Sequence, residues 1–140
     1  WVPSERMRMT PFYTWNASVP LPLRLIGLAL LVAGHVLGGY ALVENAFFSG
    51  VVRLQTERGH HVIDTGPYAW VRHPGYAGAL LTFIGTPLLL SSWWAFIPAA
   101  FMVTILIIRT AKEDQFLQEN LQGYKAFTQK TRFRLIPGIW

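Results

Sequence analysis

The sequence predicts an all-α, polytopic membrane protein with three transmembrane helices: one single span, then a helical hairpin. A cytosolic polar loop joins them, and C-terminal amphipathic helices close the chain. Three observations carry this prediction. Of the 140 residues, 52% are hydrophobic and only 14% are charged. The apolar residues lie in long blocks, which a water-soluble core does not need. A compact polar cluster, Gly66-Pro67-Tyr68-Ala69-Trp70-Val71-Arg72-His73-Pro74-Gly75-Tyr76-Ala77-Gly78, marks the start of the longest block: Arg72 is the last charged residue before it, Arg109 is the next, and everything between Pro74 and Ile108 is uncharged.

The length suits one domain, residues 1–140. The first residue is Trp1 rather than Met, so the sequence reads as a domain lacking an N-terminal portion with further spans. Cysteine is absent, which excludes disulfides, thiolate catalysis and Cys-ligated metals. The formal net charge is +5, and the basic residues flank the apolar blocks. Such charges set topology and meet anionic membrane lipids; no basic-aromatic nucleic-acid module accompanies them.

Residues 1–20 carry Pro3, Pro11 and Pro20 among aromatics, with Arg6 and Arg8. The prolines argue against a long helix, leaving an interfacial segment or a linker to a preceding span. Residues 21–48 read as the first transmembrane helix, with roughly 20 apolar residues needed to cross. Arg24 snorkels at one end, and Glu44 and Asn45 mark the other. Gly34 and Gly38 form a GxxxG pair, with Gly27 and Gly39 nearby, which permits close helix packing. His35, alone within the span, is expected to be neutral and hydrogen-bonded.

Residues 49–75 form a polar loop. His60 and His61 are adjacent and point differently, with no third ligand at a helical spacing, so no metal site is assigned. Gly66-Pro67 favours a turn. His73 precedes Pro74, which drives it to an extended conformation and lets a helix begin just after it. Residues 76–108 are too long for one span. Ser91-Ser92 and Trp93-Trp94 divide them into a hairpin, Tyr76 to Leu90 and Trp93 to Ile108, with Gly85, Pro87 and Pro98 as bends. Residues 109–140 are expected to begin a separate amphipathic helix: Phe116, Leu117, Leu121 and Tyr124 follow helical spacing. Gly123 breaks that helix. Arg109 and Glu113 are i and i+4 and share a face. Arg132 to Trp140 reads as a basic-aromatic interfacial tail. The 49–73 connection and the chain after Ile108 hold nine Lys and Arg, against three up to Arg24, so both are placed in the cytosol.

The polar cluster resembles the GxYxxxRHPxYxG stretch of the isoprenylcysteine carboxyl methyltransferase family, which is grouped with the phospholipid N-methyltransferases. Arg109-Thr110-Ala111-Lys112-Glu113-Asp114-Gln115-Phe116-Leu117 is similar to the family's R-x-x-x-E-x-x-x-L. Gly123-Tyr124 and Arg134-Leu135-Ile136-Pro137 add a third match. The resemblance covers roughly Gln55 to Trp140. It implies a membrane-integral enzyme using S-adenosylmethionine, without the soluble doubly wound methyltransferase fold. Carried over residue by residue, it implies that Gln55, His60, Val62, Ile63, Tyr68, His73, Pro74, Gly75, Tyr76 and Glu113 contact the cofactor, with His61 in the same stretch. The spacing from Gln55 to Gly66 is shorter than in the family's better-known members, which makes Gln55 the weakest match. Arg109 would face the methyl acceptor, a lipophilic or small molecule, and catalysis would rest on Arg109 and His73.

These residue types fit that chemistry. Glu113 is suited to pair with the cofactor's ammonium or accept from ribose hydroxyls, and His73 and Arg72 to hold its tail carboxylate. Tyr68 and Tyr76 suit an adenine face or a sulfonium. An ionised carboxylate acceptor needs no general base, whereas an amine does; prenylated cysteine carboxylate, phospholipid amine and small thiol all remain as acceptors. A rival resemblance is to membrane sterol and steroid reductases, which use a nicotinamide cofactor and show a similar RHPNYxG stretch and RxIPxI ending. This chain has Gly75 in place of their Asn and Ala79 in place of their acidic residue. A non-enzymatic membrane scaffold explains the spans but not the clustering of Tyr68, Arg72, His73, Arg109 and Glu113.

Overall fold

The computed structural model describes residues 19–140, so nearly all of the expected interfacial segment 1–20 lies outside the described residues. Among the described residues four helices follow in order: α1 (Leu21–Glu44), α2 (Pro74–Leu89), α3 (Phe96–Asn120) and α4 (Tyr124–Lys130). Short 3-10 turns occupy Thr56–Arg58, Gly66–Ala69 and Trp93–Ala95, and no strand occurs among the described residues. Among the described residues two runs are long and apolar enough to cross a membrane, Leu21–Glu44 and Trp93–Asn120; only 17% and 11% of their most apolar windows are buried, so neither resembles the core helix of a soluble protein. At 16 residues, α2 is about 24 Å long, short of the ~30 Å hydrocarbon core. By length and composition α1 and α3 qualify as spans, and α2 alone falls short of the length of the third span expected.

Local chemistry sets the helix ends. Pro22 lies in the first turn of α1 and Pro74 opens α2, positions whose N–H groups have no helical acceptor anyway. The first span ends at Glu44 rather than continuing to 48 because Asn45 turns the chain: its side-chain Oδ1 accepts from Phe47 N–H at 2.9 Å. His35 is exposed on α1, with Nδ1 2.8 Å from the Leu31 carbonyl. Pro98 falls in the first turn of α3 rather than at a mid-helix bend.

α1 and α2 run antiparallel along a glycine seam with a period of seven. A Cβ on Gly34 would lie 2.5 Å from the Gly78 carbonyl oxygen, and one on Gly78 would lie 2.5 Å from that of Gly34. One heptad on, Gly27 and Gly85 repeat the arrangement at 2.7 and 2.6 Å. Ala41, fully buried, extends the stripe to Tyr68. The seam thus runs over Gly27, Gly34 and the backbone of Gly38: a Cβ on Gly78 would lie 2.9 Å from the Gly38 nitrogen, whereas one on Gly38 itself would meet nothing within 4 Å. Backbone contact this close gives extensive van der Waals packing without side chains. α2 consequently packs far more closely along α1 than along its hairpin partner α3. Gly34→Ala and Gly78→Ala should each cost about 1–3 kcal/mol through overpacking. Gly38→Ala should be neutral or stabilising by up to about 1 kcal/mol. Thermal unfolding in detergent compares the three; equal midpoints would dissolve the seam.

One expectation for the C-terminal region is corrected. α3 runs unbroken through Ile108 to Asn120, so Arg109 continues the returning arm rather than starting a new helix. The helix ends at Asn120, and Gly123, at φ 85°, lies in the break before α4 as expected. α4 packs inward, with Tyr124 and Phe127 buried against Ala41 and Tyr68. The final segment docks on the Arg72-His73 corner. The N–H groups of Arg72 and His73 donate to the Phe133 and Arg134 carbonyls at 2.8 and 2.9 Å, and Leu135 is buried.

Candidate active site

The polar loop is organised from inside by Gln55. Its carboxamide Nε2 donates to the Phe47 carbonyl at 2.8 Å, and its Oε1 accepts from Arg58 at 2.6 Å. Its backbone N–H donates to His60 Nδ1 at 3.1 Å, and Gly59, at φ 65°, makes the turn between them. The loop thereby clasps Phe47: His60 stacks on the ring at 4.5 Å and His61 meets it edge-on at 5.0 Å. Burial, then the His61 and Arg53 charges, lower the His60 pKa and favour the neutral ring that accepts this bond. Gln55 is almost wholly buried and lies behind the loop rather than facing the cavity described below.

Asp114, a residue the sequence reading passed over, is the hub of the site. It is fully buried. Arg72 grips it with two bonds, Nε to Oδ1 at 2.9 Å and a terminal nitrogen to Oδ2 at 2.8 Å. His73 Nε2 lies 3.1 Å from Oδ1, and the Tyr124 hydroxyl donates to the same oxygen at 2.8 Å. Gln118 and Arg134 donate to Oδ2 at 2.8 and 3.0 Å. The other Arg72 terminal nitrogen donates to the Arg132 and Thr131 carbonyls, so the protein itself occupies the guanidinium expected to reach a ligand carboxylate. Burial, then the Asp114 charge, raise the Tyr124 pKa and keep its hydroxyl a donor. One sequence signal could have found Asp114. Leu106, Thr110 and Asp114 form the buried stripe of α3 at i, i+4 and i+8, and a carboxylate on such a stripe must be paired.

In front of this hub lies a cavity with about 770 Å³ of empty space, its open mouth included. His60, His61, Val62, Ile63, Tyr68, Arg72, His73, Gly75, Tyr76 and Glu113 line it together. Of the remaining candidates, Gln55, Pro74 and Arg109 do not. Asn45, Phe47, Phe48, Ser49, Val51, Val52 and Arg53 add to the wall from the chain after α1, and Leu117, Leu121, Tyr124 and Phe127 from α3 and the chain after it; the apolar ones among them gave no chemical signal in the sequence. Burial raises the Tyr68 pKa, and its hydroxyl accepts from Asn45 at 3.1 Å. A Cβ on Gly75 would lie 2.5 Å from the Phe48 ring, which closes over this position. Arg109 and Glu113 make no direct ion pair among the described residues. The Tyr76 hydroxyl stands between them, donating to Glu113 at 2.5 Å and accepting from Arg109 Nε at 2.8 Å. Arg109 also donates to the Gly50 carbonyl of the loop. Among the described residues no group of three or more His, Asp or Glu side chains is placed to hold a metal ion.

Aromatic faces, a carboxylate and a narrow polar floor suit a small molecule with a flat ring and a cationic part. Comparison with known proteins points the same way. The family model for the isoprenylcysteine carboxyl methyltransferase (ICMT) family matches residues 26–119. A probable protein-S-isoprenylcysteine O-methyltransferase of Oryza sativa subsp. japonica is 27% identical over 108 residues, covering 75% of this chain and 56% of the relative. A Delta(14)-sterol reductase of Mus musculus is 24% identical over 153 residues, covering 100% of this chain and 37% of the relative. The solved structure of the eukaryotic intramembrane Ras methyltransferase ICMT superposes with a TM-score of 0.74 at 27% identity, covering 91% of this chain and 46% of that one. The chain thus spans about half the length of the relatives it matches.

Proposed function

The chain belongs to the isoprenylcysteine carboxyl methyltransferase family, and from that premise we propose that it is an integral membrane methyltransferase. It takes S-adenosylmethionine as methyl donor and a lipophilic acceptor, with O-methylation of an isoprenylcysteine-type carboxylate favoured. The observation that carries this is the single cavity into which the loop, the Arg72-His73 corner and Glu113 converge. Its residues fit the cofactor: Glu113 for the ammonium, aromatic faces of Phe47, Tyr68 and Tyr76 for adenine and sulfonium, and His73 for the polar tail. Bound S-adenosylmethionine would supply a methyl group on an electron-poor sulfonium. The protein's part is to align the acceptor and exclude water, which the aromatic and aliphatic walls favour. Arg109, outside the cavity and linked to it through Tyr76, is suited to hold the acceptor's carboxylate.

Isothermal calorimetry on the full-length protein in detergent tests the assignment. S-adenosylmethionine should bind, and Glu113→Ala and His73→Ala should each weaken it. A lost charge-assisted hydrogen bond is worth about 1.5–3 kcal/mol, at least about tenfold in affinity. Unchanged affinity in both folded variants would remove the site. The second reading, hydride transfer from NADPH, draws on the similarity to the sterol reductase along this whole chain. Methyl transfer without NADPH oxidation would set it aside.

For topology, we propose that the loop and the C-terminal region share the cytosolic side, with α2 and the turn after it reaching the far interface at Trp93-Trp94. Single cysteines at Leu90, Thr56 and Lys125 report on this in a Cys-free background. An impermeant thiol reagent should label Leu90→Cys from one side and the other two from the opposite side. Labelling of all three from the same side would refute the arrangement.

A further inference from the structure

We propose that the Tyr76 hydroxyl is the positioning group of Arg109, holding its guanidinium apart from Glu113 so that its outer edge is free for an anionic acceptor. This rests on the methyltransferase reading above. Arg109 and Glu113 are one turn apart on α3, a spacing at which opposite charges ordinarily pair directly. Here they do not. Tyr76 reaches across from the start of α2 and puts one oxygen between them, 2.5 Å from Glu113 Oε2 and 2.8 Å from Arg109 Nε. A phenol has a single proton. It goes to the carboxylate, so the oxygen presents lone pairs to the guanidinium and the polarity of the link is set.

The ring carrying that hydroxyl is itself held. His73 stacks on it at 5.9 Å with planes 23° apart, and His73 is held in turn by Asp114. Arg109 is thus referred, through Tyr76, to the same buried hub that shapes the cavity. With Nε bonded to Tyr76 and one terminal nitrogen bonded to the Gly50 carbonyl, the other terminal nitrogen has no protein acceptor among the described residues. That nitrogen, together with the second hydrogen of the one bonded to Gly50, suits a two-point grip on a carboxylate. Without the hydroxyl, Arg109 would swing onto Glu113 and each charge would quench the other.

Tyr76→Phe keeps the ring and removes only the link. Three measurements on the full-length protein in detergent follow. In spectra of ¹⁵N-arginine-labelled protein, the Arg109 Nε–H, assigned by its loss in Arg109→Lys, should be slow to exchange in the wild type and lose that protection in Tyr76→Phe. With an N-acylated S-farnesylcysteine as acceptor, the acceptor KM of Tyr76→Phe should rise about tenfold or more, the scale of a lost charge-assisted bond. The double variant Tyr76→Phe/Arg109→Lys should be no worse than Arg109→Lys alone, because both act through one group. Unchanged Arg109 protection, an unchanged acceptor KM, effects that multiply, or a defect confined to S-adenosylmethionine affinity would each overturn the inference. Failure of the wild type to bind S-adenosylmethionine would instead sink the proposed function, and the exchange measurement, which needs no ligand, would still judge the link.

Discussion

Asp114→Ala is expected to destabilise the protein by about 3–5 kcal/mol, the cost of breaking a buried ion pair by removing one partner. The carboxylate is fully buried and receives donors from Arg72, His73, Gln118, Tyr124 and Arg134. Arg72 is 8% exposed and would be left with a buried charge and no counterion. The damage would spread, because the same carboxylate ties the loop corner, α3, α4 and the final segment together. Asp114→Asn tests charge against shape: it retains volume and one acceptor oxygen, so it should lose less than Ala while still losing most of the Arg72 and Arg134 attraction. Arg53→Ala is the control. Its ion pair with Glu57 has both side chains half exposed, and such pairs contribute about 0–1 kcal/mol. Thermal unfolding in detergent ranks the three. A loss below about 1 kcal/mol for Asp114→Ala, within the range of an exposed pair, would show that the hub does not organise the site.

Arg109→Lys is expected to fold and to bind S-adenosylmethionine, yet to transfer methyl up to about a hundredfold more slowly, the scale of an orientation loss. The wild-type guanidinium donates to Tyr76 and to Gly50 at once. An ammonium on a flexible stem keeps the charge but not the fork. Charge alone would suffice if Arg109 only anchored the helix at the membrane surface. Steady-state turnover with an S-farnesylcysteine acceptor, alongside calorimetry for the cofactor, separates the two roles. Near-normal turnover would make Arg109 an anchor and place the acceptor's head group elsewhere.

The sequence by itself determined what depends on near neighbours. Apolar blocks located α1 and the two arms around Ser91-Ser92. Pro74 located the start of α2 and Gly123 the break between α3 and α4, because proline and positive-φ glycine act within a turn of themselves. The polar cluster from Gly66 to Gly78 was legible as a site for the same reason: its turn, its Arg-His pair and its helix start are contiguous. Only the tertiary structure decided which groups those residues meet. Arg72 and Asp114 are 42 positions apart, so no spacing rule could show that the guanidinium faces a protein carboxylate instead of a ligand. The boundary drawn at Ile108 followed a change of polarity, but backbone hydrogen bonds do not register side-chain polarity, and α3 crosses it unbroken. The glycine seam shows the same limit. Gly27, Gly34, Gly38 and Gly39 look alike along the chain, and only the approach of Gly78 and Gly85 selects Gly27, Gly34 and the backbone of Gly38, because close packing is a property of two surfaces together.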